Sequence, residues 1–542
     1  MTGAEAVLRV LRAMGVERIF ASPGSDWAPL WEALAGPHAA EEFPEYVSVR
    51  HEETAVAMAG GWSKATGKLP AVLLHTTVGT LHAAMALRIA LHERVPMVVM
   101  AGESITYGEP PAPMVGRQWL RLLTDTGGPA RLIEPCVKWS LALNAAALLP
   151  QTLQRACQLA VSAPRGPVFL SVPLEHLLQA LPGPLPAPAS LPRPSAAEPA
   201  ALDQLAQALA AAHSPLIITE EAGRDPAAVR ALVALAEALG APVAEAWQPY
   251  YLNFPRDHAL YAGVLPEIEP LVKASDAVLL ADAVLPWHPP SVLNEGRKIF
   301  AVGEDPLRAN LPFWGFRTDM VLPGELRTTL EGLLQRLPQG KKEKRVLQPP
   351  LPAAGEGMTN AWIAQALSEA LPPDAIVVNE TITHRLELLR RLSRLQPGGF
   401  YESSFGGLGM GLSTALGVKH AQPGRAVVAT IGDGAFHYNP VAAAFGASQE
   451  LGLPLLVVLF DNAGYLSQRN DVLTYYPKGE AVRTRRFAGT GITPRPEYAK
   501  LAQAYGGYGE KVERPQDVRA SLHRGLEQQR AGRLALIHMV LA

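Results

Sequence analysis

The chain has 542 residues, 48% of them hydrophobic and 18% charged, with 48 basic against 50 acidic side chains and a formal net charge of −2. That length exceeds what one hydrophobic core supports, and the composition excludes a disordered or fibrous chain, so about three domains are expected. No basic block or aromatic-interleaved basic stripe offers a surface to nucleic acid, and no apolar run is long enough for a membrane span, so a small-molecule partner is expected.

The first residues carry charge where a signal peptide needs an uninterrupted apolar stretch, which predicts a cytoplasmic protein. Val7, Leu8, Leu11 and Met14 make one helical face, Gly15 closes it, and residues 16–20 enter a strand before the Pro23-Gly24 turn. A strand at 71–75, a helix near 81–91 and a strand at 95–100 form the next unit. The two cysteines, Cys136 and Cys157, lack metal-ligand spacing and read as buried thiols in a reducing compartment. Proline-rich 182–194 reads as a linker. Strands are predicted at 215–219 and 277–281, and a second linker at 340–345, polar and charged, continues into proline-rich 348–352. Beyond it lie strand candidates at 374–378, 426–431 and 454–460. Apolar runs alternating with helical patterns predict an α/β protein of three doubly wound parallel-sheet domains, 1–182, 195–338 and 353–542.

Gly432-Asp433-Gly434 directly follows the apolar run 426–431, and Asn462 follows the run 454–460 after a helix-sized interval. In an open parallel sheet, ligands gather at the carboxyl ends of strands. A carboxylate, an amide oxygen and the backbone carbonyl of Gly464 suit a magnesium ion, which takes hard oxygen ligands and leaves positions for phosphate. The flanking glycines let backbone approach an anion. By itself Gly-Asp-Gly is also an ordinary turn.

Gly432-Asp433-Gly434 with Asn462 resembles the metal and diphosphate motif of thiamine-diphosphate-dependent enzymes. Arg50-His51-Glu52-Glu53, continuing through Trp62 to Gly67, is similar to the stretch that holds that family's cofactor-activating glutamate, and Glu52 takes that place. The resemblance runs over nearly the whole chain. It implies a pyrimidine-binding first domain, a central domain and a diphosphate-binding third domain, with thiamine diphosphate and Mg²⁺ as cofactors. Asp433, Asn462 and Gly464 are then the metal ligands, and Gly432, Gly434, Ala435 and Tyr465 complete the diphosphate site. Thr381 and Thr383 are expected to meet the diphosphate. In 405–411, Gly406 is expected to accept the aminopyrimidine amine and Leu408 to prop the bent cofactor. Glu52 is expected to share a proton with the pyrimidine ring and so activate the thiazolium.

Ser25, His75 and His288 sharpen the resemblance toward benzoylformate decarboxylase and related 2-oxo-acid decarboxylases. The resemblance implies that Ser25 orients the substrate carboxylate while His75 and His288, which titrate near neutrality, move protons as carbon dioxide leaves and an aldehyde forms. It also implies a homodimer at least, and a homotetramer as the expected assembly, acting on a small 2-oxo acid or aldehyde. Residues 466–487 do not match that group, so the substrate and the balance between decarboxylation and joining two carbonyl compounds stay open. The rival readings are an acetolactate-synthase-like carboligase, for which Glu220 to Asp225 is a poor flavin fingerprint, and a cofactor-binding protein without turnover.

Overall fold

The computed structural model describes residues 1–22, 24–37, 39–103, 125–181, 183–264, 269–290, 296–312, 314–338, 351–402 and 406–542. Pro23, Pro182, the charged stretch 340–345 and Phe405 therefore lie outside the described residues. Contacts divide the chain into two compact units. The first comprises Met1–Arg193, Ser404–Pro423 and His437–Pro454; the second comprises Pro194–Ser403, Gly424–Phe436 and Leu455–Ala542. Among the described residues no helix is long and apolar enough to cross a membrane.

The first unit opens with helix α1 (Gly3–Ala13), capped by a reciprocal pair in which Thr2 Oγ1 accepts from the Glu5 N–H and the Glu5 carboxylate accepts from the Thr2 N–H. Its sheet holds β1 (Arg18–Ala21), β2 (Glu45–Ser48), β3 (Ala71–Leu74), β4 (Met97–Glu103), β5 (Trp139–Ala142) and β6 (Pro167–Pro173), all parallel in the order β2-β1-β3-β4-β6-β5. Helix α2 (Glu52–Thr66) precedes β3 and α3 (Thr76–His92) follows it. The sequence predicts α3 only from Leu81. It begins five residues earlier because buried Thr76, Thr77, Gly79 and Thr80 pack into the fold, and that packing overrides their weak helix propensity. Helix α4 (Leu149–Val161) carries Cys157 into the core, where burial pushes its thiol up to about 12. Cys136 is half-buried rather than buried, and both thiols are free. From the later part of the chain, α5 (Gly411–Ala421) packs on α2, with Ser413 Oγ donating to Thr54 Oγ1 at 3.3 Å.

The second unit contains two six-stranded parallel sheets. One is β7 (Pro215–Thr219), β8 (Val243–Glu245), β9 (Tyr261–Val264), β10 (Ala277–Ala281), β11 (Lys298–Gly303) and β12 (Met320–Pro323), in the order β12-β11-β10-β7-β8-β9. The other is β13 (Ile376–Glu380), β14 (Phe400–Glu402), β15 (Val427–Gly432), β16 (Leu456–Asp461), β17 (Tyr508–Val512) and β18 (Ala535–Val540), in the order β14-β13-β15-β16-β18-β17. The central strands are buried on both faces, which explains why they read as unbroken apolar runs. Each fully buried Val, Leu or Ile contributes about 1.5–3 kcal/mol by leaving water.

In all three sheets the chain winds outward in both directions from one pair of strands: β1 and β3, β7 and β10, β13 and β15. The crevice at the carboxyl ends of such a pair is where an open α/β sheet can take a ligand. In the sheet of β7 and β10, buried side chains fill it. Glu220, 2% exposed, accepts the N–H groups of Val284 at 2.8 Å and Leu285 at 3.0 Å, and Arg308 Nη1 meets Glu221 Oε2 at 2.8 Å. The segment that reads as a poor flavin fingerprint is thus engaged in internal bonds.

Candidate functional site

The register of β15 and β16 pairs Gly432 with Phe460, so the next residues, Asp433 and Asp461 with Asn462, leave the sheet side by side. Asp433 opens the short helix α6 (Asp433–Phe436) and is almost fully buried. Its Oδ2 accepts the Gly464 N–H at 2.9 Å, and Asn462 Oδ1 accepts the same N–H at 3.1 Å. Two oxygens of the expected metal ligands therefore converge on one amide. Gly434 and Ala435 follow, both buried; a Cβ on Gly434 would lie 2.9 Å from the Tyr465 ring, so only glycine leaves that ring its place.

The electrostatics of this corner are those of crowded carboxylates. Burial, and then the neighbouring Asp461, push the Asp433 carboxyl up to about 7. Asp461 goes the other way: burial opposes ionisation, but its 2.7 Å contact with His538 and the Ala463 N–H at 2.8 Å hold its pKa low. Asp461 has its own cationic neighbour, Arg495 Nε at 3.7 Å, whereas buried Asp433, with an amide oxygen and a nearby backbone carbonyl, makes a set of hard oxygen donors. These residues fit a magnesium ion.

His384, in the turn after β13, places Nε2 3.3 Å from the Asn462 side-chain nitrogen and stacks on Phe460 with ring centroids 5.7 Å apart. Thr381 is fully buried; its hydroxyl, at 2.7 Å, and its N–H, at 3.2 Å, both go to Asn379 Oδ1. Thr383 is half-buried in the same turn. Residues 466–487 form a helix, α7 (Leu466–Tyr475), with no buried residue, and a second short helix, Glu480–Thr484. Arg483 pairs with Glu480, and Arg469 lies over the Phe487 ring at 4.9 Å. His288 also belongs to this unit and is exposed, in a loop held by the Trp287 Nε1–H donating to Pro290 O at 2.9 Å.

In the first unit Glu52 is the first residue of α2, capped by His51, whose Nδ1 accepts the Glu53 N–H at 3.2 Å. Glu52 Oε2 lies 3.3 Å from His82 Nδ1, and the rings of His51 and His82 are stacked, 5.4 Å apart and 1° from parallel. His51, Glu52 and His82 each offer one ligand atom within 4.8 Å of the others. Two imidazoles make this a poor magnesium set.

His75 directly follows β3 and caps the start of α3. Its Nδ1 lies 2.7 Å from Asp26 Oδ1, and Asp26 is fully buried. Its pKa is raised chiefly by that Asp26 bond, against burial, with Glu52 adding to it. Ser25, exposed, starts the 3₁₀ turn that contains Asp26. Gly406, exposed with φ +78°, and half-buried Leu408 also lie in this unit. The structure thus gathers Glu52, Ser25 and His75 in one unit and Asp433, Asn462, Gly464 and Tyr465 in the other. Asp26, His51, His82, His384 and Asp461 were not singled out by sequence. Asp26 and His384 adjoin the named Ser25 and Thr383, and that adjacency was the available signal.

The chain matches the model of the thiamine pyrophosphate enzyme N-terminal TPP binding domain over residues 1–124, the central domain over 202–333 and the C-terminal TPP binding domain over 383–539. It is 30% identical over 482 residues to benzoylformate decarboxylase of Pseudomonas aeruginosa, covering 85% of this chain and 86% of that relative. To acetolactate synthase isozyme 2 large subunit of Escherichia coli it is 26% identical over 545 residues, covering 96% and 93%. The solved structure of a thiamine diphosphate-dependent 4-hydroxybenzoylformate decarboxylase of Rhodococcus jostii RHA1 superposes with a TM-score of 0.85 at 26% identity, covering 100% of this chain and 99% of that one.

Proposed function

The chain belongs to the thiamine pyrophosphate enzymes, and from that premise we propose that it decarboxylates a benzoylformate-like 2-oxo acid, aromatic or branched, to an aldehyde. Its cofactor is thiamine diphosphate, and magnesium is the family's usual partner metal. The observation that carries the reading is the convergence of Asp433 Oδ2 and Asn462 Oδ1 on the Gly464 amide.

On this reading Asp433, Asn462 and the Gly464 carbonyl hold Mg²⁺, with Gly432, Gly434, Ala435, Thr383 and Tyr465 around the diphosphate. Thr381, whose donors are directed to Asn379, holds that turn to β13. When bound, the thiazolium ring supplies the electron sink for loss of carbon dioxide. With the cofactor bound, Glu52 would share a proton with the pyrimidine ring, the Gly406 carbonyl would accept a hydrogen bond from its amine, and Leu408 would prop it. The Ser25 hydroxyl orients the substrate carboxylate. His75 and His288 supply and accept the protons that move as the aldehyde forms, while the carboxylate leaves ionised, as carbon dioxide. Residues 1–182, 195–338 and 353–542 serve as pyrimidine, central and diphosphate domains of a cytoplasmic homodimer or homotetramer, one subunit's Glu52 acting with its partner's metal site.

The likeness to acetolactate synthase supports a second reading, in which the same residues join two carbonyl compounds. Protein reconstituted with magnesium and thiamine diphosphate is tested on a panel of 2-oxo acids, scoring carbon dioxide, aldehyde and hydroxyketone. Aldehyde as the main product is expected; hydroxyketone as the main product favours the second reading, and no turnover on any donor overturns both.

A further inference from the structure

The crevice between the carboxyl ends of β1 and β3 holds a buried acid that the reading above does not use. Asp26 is 0% exposed, yet both of its oxygens are directed to the segment that follows β3. Oδ1 lies 2.7 Å from His75 Nδ1, and Oδ2 accepts the Thr76 N–H at 3.3 Å. The surrounding backbone leaves room for this carboxylate from two sides. A Cβ on Gly24 would collide with the His75 ring and Asp26 Oδ1, and a Cβ on Gly102, in β4, would collide with the Asp26 side chain. Burying an ionised carboxylate costs several kcal/mol unless it is paired, so a segment needing only a tight turn is better served by a neutral residue.

Thr76 adds a second constraint. It sits at φ +36°, an unfavourable conformation for a β-branched residue, and its N–H is the one that Asp26 accepts. Among the described residues its buried Oγ1 has no hydrogen-bond partner. One carboxylate thus fixes both the imidazole and the strained backbone next to it.

We propose that Asp26 is a positioning residue for His75, holding Nδ1 as the donor nitrogen so that Nε2 is the atom that exchanges a proton with the reacting 2-oxo acid or aldehyde. This rests on the reading of His75 as a proton carrier. An ionised carboxylate only accepts, so the neutral ring facing it carries its hydrogen on Nδ1. His75 is 29% exposed at its side chain. Among the described residues, two carboxylates face it. Asp26 faces it from the turn after β1 and Glu52 from the head of α2. Glu103 on β4 is turned to Ser171, and His82, on α3, is turned to Glu52. Both carboxylates that face His75 favour its protonated form, in accord with the raised pKa.

Carbethoxylation by diethylpyrocarbonate, which attacks only neutral imidazole, tests this in the cofactor-free full-length protein, with the His75 peptide followed by mass spectrometry from about pH 5 to pH 8.5. The wild-type midpoint is expected above the ordinary 6.5, and Asp26→Asn is expected to lower it by about one unit and to lower kcat of the reconstituted enzyme by about 10²-fold. The high-pH limb of its kcat profile should move down with the midpoint. A wild-type midpoint at or below 6.5 overturns the inference without any variant, and so does an unchanged midpoint in a folded Asp26→Asn protein. A midpoint that falls while kcat and its pH profile stay unchanged supports the Asp26 assignment and overturns His75 as the proton carrier.

Discussion

His384 Nε2 stands 3.3 Å from the side-chain nitrogen of Asn462, and burial lowers the His384 pKa to about 4. A neutral imidazole can accept from that amide, which turns Asn462 Oδ1 toward the amide of Gly464 and the carboxylate of Asp433. Partners that orient a ligand in this way typically change metal affinity 10- to 100-fold. His384→Ala is therefore expected to weaken Mg²⁺ binding at least about 10-fold, measured by calorimetric titration with thiamine diphosphate present. Unchanged affinity would show that Asn462 is oriented by its backbone alone.

Metal retention is expected to depend on pH through Asp433. Its carboxyl, pushed up to about 7 by burial and then by Asp461, must be ionised to bind a cation. Affinity for Mg²⁺ should thus fall as pH drops from about 8 through 7 to 6, and Asp433→Asn should lose the ion across that range. A flat profile for the wild type would count against Asp433 as a ligand.

Glu52→Gln separates holding the cofactor from activating it. The amide keeps the size of the side chain at the head of α2 but cannot exchange a proton as a carboxyl does. Turnover is expected to fall by about 10²–10⁴-fold while Mg²⁺ and thiamine diphosphate still bind. Release of carbon dioxide and calorimetric binding, run on the same preparation, read the two quantities. A full rate in the variant would displace Glu52 from its assigned role.

Glu220 gives a prediction about stability. Burial raises its pKa from 4.5 to about 7, so the folded protein keeps this proton over a range where the unfolded chain has released it. The stability it allows is fully present below about pH 4.5 and is lost as pH rises through about 7, a change on the order of 3 kcal/mol. Glu220→Gln should flatten the decline of the thermal midpoint over this window, since the amide oxygen can still accept from Val284 and Leu285. An identical pH slope in the two proteins would rule this out.

The buried central strands were legible because parallel sheets covered on both faces leave apolar runs such as Val427–Gly432 and Leu456–Asp461, and for these two the structure displaced the predicted bounds by one or two residues. Asp433, Asn462 and Glu52 were singled out because their types and neighbours formed a pattern over the chain. Asp26 was not: an aspartate after Pro23-Gly24-Ser25 reads as a turn residue, and only the approach of β3 and β4 makes it a buried acid. His82 was hidden for the opposite reason. It is a solvent-facing residue on a helix whose start the sequence placed too late, and its contact with Glu52 depends on how α2 and α3 pack.

The filled crevice of the central sheet bears on how this chain can change over generations. Arg308 reaches Glu221 at 2.8 Å and lies 4.0 Å from Asp282, and both Arg308 and Asp282 hold left-handed backbone conformations at that spot. Replacing Arg308 alone takes from buried Glu221 its nearer guanidinium; replacing Glu221 alone takes from buried Arg308 its nearer carboxylate. Either single change is expected to cost about 3–5 kcal/mol, a large share of a folded protein's margin. Because Glu221 also meets Arg224 at 3.4 Å and Arg308 also meets Asp282 at 4.0 Å, these charges form one linked set, and changing the crevice means changing several of its members together.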